Sequence, residues 1–95
     1  MVSMAGGLAF IVSAACAYSG QELAGQAKIG IAQARVIALH AHAGKIVSEE
    51  LEKEAGGSGL RYSFDIKKGA VTQEVGVDAQ SGKILENVKE GPHPD

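Results

Sequence analysis

Leu60, Tyr62, Phe64 and Ile66 alternate strictly with Arg61, Ser63, Asp65 and Lys67. A period of two over this length is the signature of a β-strand with one apolar and one polar face. A strand cannot bury its apolar face alone, so the rest of the chain must supply both neighbouring strands and a covering layer. The covering layer is predicted just upstream. Ile31, Ala34, Ile37, Ala38 and Ala41 recur at steps of three and four, the spacing of a helix face, and the stripe runs over residues 31–43. Gln33, Arg35 and His40 fall away from that stripe. Gly30 stands at the N-cap, where glycine is acceptable but weaker than Ser or Asp. Gly44 follows the last periodic residue and is expected to end the helix in the left-handed conformation.

After Gly44 the period changes from 3.6 to 2. Residues 45–54 read as a first strand, with Val47 and Leu51 on one face and Ile46 on the other. Residues 56–59, Gly-Gly-Ser-Gly, form a loop by composition. Lys68-Gly69 is a tight turn, with glycine supplying positive φ. Val71, Val75 and Val77 then share a face opposite Thr72, Glu74, Gly76 and Asp78. A second turn over residues 78–82 leads into a short apolar piece holding Ile84, Leu85 and Val88. The expected fold class is α+β: one N-terminal helix packed on a three- to four-stranded antiparallel meander.

Charge divides the chain before that fold begins. The first 21 residues carry no charge, and all 9 Lys/Arg and 11 Asp/Glu lie from Glu22 onward. Residues 4–17 form an apolar run of signal-peptide length, too short and too rich in Gly and Ala to span a bilayer comfortably. Ala15-Cys16-Ala17 gives a small-x-small pattern with a cut before Tyr18, although residues 1–3 lack the usual basic group. Residues 1–17 are therefore expected as a signal peptide and 18–28 as a flexible lead-in. Residues 29–90 are the folded domain and 91–95 a disordered tail. The expected location is periplasmic or secreted. Cys16 is the only cysteine, which excludes an internal disulfide and a cysteine-rich zinc site. Membrane attachment is expected only through the cleaved leader, with lipidation of Cys16 as the alternative; Ser13 departs from the aliphatic residue a lipobox wants.

The mature residues resemble the PepSY domain family over roughly residues 28–88. Lys28-Ile29-Gly30-Ile31-Ala32-Gln33-Ala34 is similar to the family's opening, and Gly44-Lys45-Ile46-Val47 to its helix-to-strand junction. The run from Leu60 through Tyr62 to Ile66 looks like its central strand. Val75-Gly76-Val77-Asp78-Ala79-Gln80-Ser81-Gly82-Lys83-Ile84-Leu85 resembles its closing strand and turn, the most specific piece. Gly30 replaces a hydroxyl cap, Ser81 replaces Thr, and Glu49 stands where the family has a small or apolar residue. The resemblance implies a small extracytoplasmic domain without catalytic residues. Members occur in propeptides of thermolysin-type metallopeptidases, where inhibition and chaperoning are their ascribed roles, and as short stand-alone proteins.

No catalytic constellation stands in the sequence: no His-Glu-x-x-His, no Gly-x-Ser-x-Gly, no phosphate loop. The chain is not expected to be an enzyme, and no cofactor is expected. A formal charge of −2 and two aromatics in the folded part argue against nucleic acid. The leading expectation is a protein-binding module whose partner is a peptidase, engaged through exposed strand edges. The candidate edge residues are Ile46, Ser48, Glu50 and Glu52 on the first strand, with Ile84 and Glu86 on the last. The alternative is an envelope protein that binds or senses a cation through His40 and His42 with the acidic first strand. His40 and His42 are weak ligands for that purpose, because two residues apart on a helix they diverge by about 200°. The acidic run Glu49, Glu50, Glu52 and Glu54 otherwise reads as a solvated face that discourages sheet pairing.

Overall fold

The structure, a computed structural model, describes residues 17–91. The expected leader with Cys16, and the expected tail from Pro92 onward, lie outside the described residues. The elements run in the order of a 3-10 helix Gln21–Gln26, helix α1 (Ile31–Ala41), and strands β1 (Lys45–Lys53), β2 (Leu60–Lys68), β3 (Val71–Asp78) and β4 (Ile84–Lys89). The four strands pair antiparallel in sequence order, β1-β2-β3-β4, and α1 packs across one face of this meander. The α+β architecture expected from the two periodicities is the one observed.

The helix meets the sheet through its smallest side chains. Ala34 and Ala38 are fully buried, with Ile31 and Ile37 packing at their flanks, while Ala41 remains exposed. Beneath them lie Leu51, Tyr62, Phe64, Ile66, Val75 and Val77. Tyr62 carries its hydroxyl into this core and donates to the Ile29 carbonyl at 2.7 Å. Its ring lies 6.3 Å from that of Tyr18, and burial, reinforced by Tyr18, pushes its phenol up to about 12.

Three expectations are corrected by the geometry. The helix stops at Ala41 rather than at residue 43, because His42 already takes an extended conformation while its N–H bonds the Ala38 carbonyl. Gly44 is required for another reason than ending the helix: a β-carbon there would stand 2.7 Å from the Lys67 carbonyl oxygen, so only glycine lets the chain cross this close to β2. The face assignment on β1 is also reversed. An irregularity between Ile46 and Ser48 makes Val47 an extra residue, which shifts the alternation by one. Ile46 and Leu51 thereby share the helix side, and Val47 is left 52% exposed. The polar face of β2 is itself largely withdrawn from water near its start. Arg61 and Ser63 are only 7% and 9% exposed.

Candidate functional site

The two edges of the sheet are finished differently. At β1 the chain doubles back on itself: Ser19 bridges Glu50 in parallel, and its carbonyl accepts the Leu51 N–H at 2.8 Å. Gly20 passes so close to the Leu51 carbonyl that any side chain would collide, and its φ of 83° is one that glycine adopts freely. The 3-10 helix then lies beside β1, placing Leu23 and Ala27 against the core. The sequence gives no periodic signal for this segment, which was expected only as a lead-in.

β4 has no such cover among the described residues. The Glu90 N–H donates to the Thr72 carbonyl at 2.8 Å, and Val88 and Glu86 oppose Glu74 and Gly76 in the same register. Alternation along an antiparallel ladder therefore turns the N–H and C=O groups of Asn87 and Lys89 away from β3. Beside this edge, α1 and the start of β4 frame an open groove of about 460 Å³ lined by Val36, Ile37, His40, Ala41 and Ile84. Val36 is 68% exposed there.

The sheet face opposite the helix gathers carboxylates. Asp65, Glu74 and Glu90 bring oxygens within 4.8 Å of one another. Burial, and then Glu90, raises the Asp65 carboxyl above its ordinary value; burial, then Glu86, Asp65, Glu90 and Glu52, does the same to Glu74. At one end of this face, Arg61 donates to Glu86 at 3.3 Å and to the Ala55 carbonyl at 3.1 Å, drawing residues 54–59 over itself. Asp78 closes the same end. Its carboxylate accepts the backbone N–H groups of Ser58, Gln80 and Ser81 and the Ser81 hydroxyl. Burial alone would push this carboxyl up, but the donors from Ser58 and Ser81 outweigh it and hold the group well below the usual carboxylate range. The turn expected over residues 78–82 is thus also the clasp that ties the β1–β2 loop to the β3–β4 turn.

The sequence-predicted edge residues fall into two groups. Ser48, Glu50 and Glu52 lie on the carboxylate-rich face, opposite Asp65, Ser63 and Arg61, and Glu52 accepts the Ser63 hydroxyl at 2.7 Å. Ile46 turns the other way and packs against the core. Ile84 borders the groove, while Glu86 pairs with Arg61. His40 lines the groove, and His42 caps the helix end with its Nε2 shielded from solvent and without a hydrogen-bond partner. Among the described residues neither histidine joins a group of three ligating side chains. The convergence of Asp65, Glu74 and Glu90 was missed. A hairpin centred between Gly69 and Ala70 sets Asp65 opposite Glu74, one residue beyond the expected Lys68-Gly69 turn, which would have set Asp65 opposite Thr72; the arrival of Glu90 depends on the irregularity between Gly76 and Val77.

Among the described residues, one α-helix over a four-stranded antiparallel meander defines a small α+β module. The chain belongs to the PepSY family: the family model described as "Peptidase propeptide and YPEB domain" matches residues 28–87. Such domains are related to peptidase propeptides, are generally non-catalytic, are commonly extracytoplasmic and commonly mediate protein–protein interaction with peptidases. Comparison with curated proteins and with solved structures gave no significant match. No helix among the described residues is long and apolar enough to cross a membrane.

Proposed function

We propose that this chain is an extracytoplasmic binding module, exported by its apolar leader, that engages a peptidase and lowers its activity without catalysing a reaction itself. The observation that carries the reading is the family match over residues 28–87 together with a β4 edge left unpaired among the described residues. An exposed edge offers main-chain groups in the spacing an extended polypeptide requires, which is how a domain without catalytic residues can hold a peptidase or its substrate-like segment. Among the described residues neither His40 nor His42 joins a group of three ligating side chains with the acidic first strand, so no geometry supports the cation reading.

The test is capture from a cell-envelope extract on the immobilised protein, followed by titration of any recovered peptidase. The expected result is a peptidase whose activity falls to a plateau near one equivalent of the module. Capture of a partner whose activity is untouched would remove inhibition from the reading, and failure to retain any partner specifically would sink it.

A further inference from the structure

The two edges differ in what they can accept. β1 is occupied by Ser19, flanked by the 3-10 helix and broken by the extra residue Val47. β4 presents the outward backbone groups of Asn87 and Lys89, with an apolar groove on its helix side and Glu86 and Glu90 on its other side. A strand added to an edge sends alternate side chains to opposite faces of the sheet. We propose that the β4 edge binds an extended segment of a protein partner in which apolar and basic residues alternate, the apolar side chains entering the groove between α1 and Ile84 and the basic ones lying over Glu86 and Glu90. The inference rests on the binding-module reading and specifies its partner.

Charge argues for this occupant over the alternatives. Asp65 and Glu74 stand behind Glu90 on the carboxylate-rich face, so a Lys or Arg arriving on the added strand gains several partners at once. An acidic segment would add to a cluster that already repels itself. A second copy of this chain is a poor occupant for the same reason. Antiparallel pairing of two β4 edges about a two-fold axis would place Glu86 and Glu90 of both copies on one face, and like charges across a strand pair are destabilising. The groove in turn excludes a fully polar strand, because Val36, Ile37 and Ile84 offer it no hydrogen bonds.

The test uses the full chain and a fluorescein-labelled peptide, Lys-Val-Lys-Ile-Lys-Val-Lys-Ile, followed by anisotropy. Two controls share its length: one with every Lys replaced by Glu, and one of identical composition with the four Lys in a block. The alternating basic peptide is expected to bind at least about tenfold tighter than either control, with an affinity that falls as salt rises. Asn87→Pro removes an outward N–H without touching the ladder to β3, and should weaken binding at least about tenfold. Asn87→Ala, which keeps that N–H, should not. If Asn87→Pro lowers the melting temperature, Val36→Asp and Glu90→Lys carry the same test from exposed positions. Equal binding of the three peptides overturns the proposal, as does wild-type affinity in folded Val36→Asp and Asn87→Pro. A peptidase captured equally by wild type and Asn87→Pro would overturn the β4 assignment while leaving the binding-module reading intact.

Discussion

On the helix-covered face the strands meet through Tyr62, Phe64, Ile66, Val75 and Val77; on the opposite face the same strands meet through Arg61, Ser63, Asp65, Glu74 and Asp78. Both faces hold residues almost withdrawn from water, yet by different physics. The apolar face is non-directional, and its stability follows the area removed from solvent. The polar face depends on each donor finding its acceptor. Asp78 shows the favourable extreme, a buried carboxylate with four donors, and Asp65 with Glu74 the unfavourable one, carboxylates facing carboxylates. The comparison teaches that the second face is not solvated surplus. One of its ends is part of the fold, and the other gathers carboxylates that burial and then one another's charge shift upward from their ordinary values.

The strongest way to break the comparison is to remove the clasp. Asp78→Ala leaves the N–H groups of Ser58, Gln80 and Ser81 without their acceptor and frees residues 54–59 from the last turn. Hydrogen bonds to a charged group contribute about 1.5–3 kcal/mol each; because Ser58 and Ser81 are exposed residues whose N–H groups water can reach, we expect a total loss of about 2–3 kcal/mol in urea unfolding. A loss below about 0.5 kcal/mol, the range of ordinary surface substitutions, would mean that the two loops hold their places without the carboxylate.

The pH dependence of stability sharpens the same contrast, because the two ends carry opposite signs. Asp65 and Glu74 are raised in the folded state above their ordinary values of 3.8 and 4.5. Folding therefore takes up protons at these groups, and their contribution improves as pH falls from neutrality through the folded-state values. Asp78 is lowered from 3.8, so its contribution is complete above that value and is lost as pH falls below it. Melting temperature should accordingly rise as pH falls from neutrality towards the folded-state values of Asp65 and Glu74, and fall on further acidification below the ordinary Asp78 value. Glu74→Gln should raise the neutral melting temperature by about 2–4 °C and flatten the gain between pH 7 and 5. A melting temperature that declines monotonically from pH 7 downward would contradict the upward shifts assigned to the carboxylate end.

How much of this was legible before the fold was known follows from the nature of each signal. The β2 alternation and the α1 stripe are local periodicities, and they place Tyr62, Phe64, Ala34 and Ala38 correctly in the core. Turn chemistry was legible for the same reason, through Gly69 and Gly82 at positive φ. What failed depended on one residue inserted into a ladder: the extra Val47 reversed the β1 faces, and parity arguments cannot see a bulge. The segment over Ser19 and Gly20 was illegible because its order comes from contact with Leu51, thirty residues away in the chain, and not from any period of its own. The edge candidates were legible as positions; which edge is closed was not, since the closing element is that same segment.

The smallest effect concerns a charged link at the border of the helix-covered side. Glu49 occupies a place where the family has small or apolar residues, and the structure gives it a partner: Arg35 on α1 reaches it at 2.9 Å, with its Nε also donating to both carboxylate oxygens. Both side chains keep about a quarter of their exposure, so the pair is screened and should be worth about 0.2–1 kcal/mol. A double-mutant cycle with Arg35→Ala and Glu49→Gln isolates it. The expected coupling is favourable, within that range, and reduced at high salt. Its sign matters more than its size. A coupling of zero would show that the apolar packing of Ile31, Ala34, Ile37 and Ala38 positions α1 without help from this pair, and that Glu49 is merely tolerated at the rim. A favourable coupling would show that directional polar contacts also act on the apolar side, at its border, where they fix how α1 sits relative to β1.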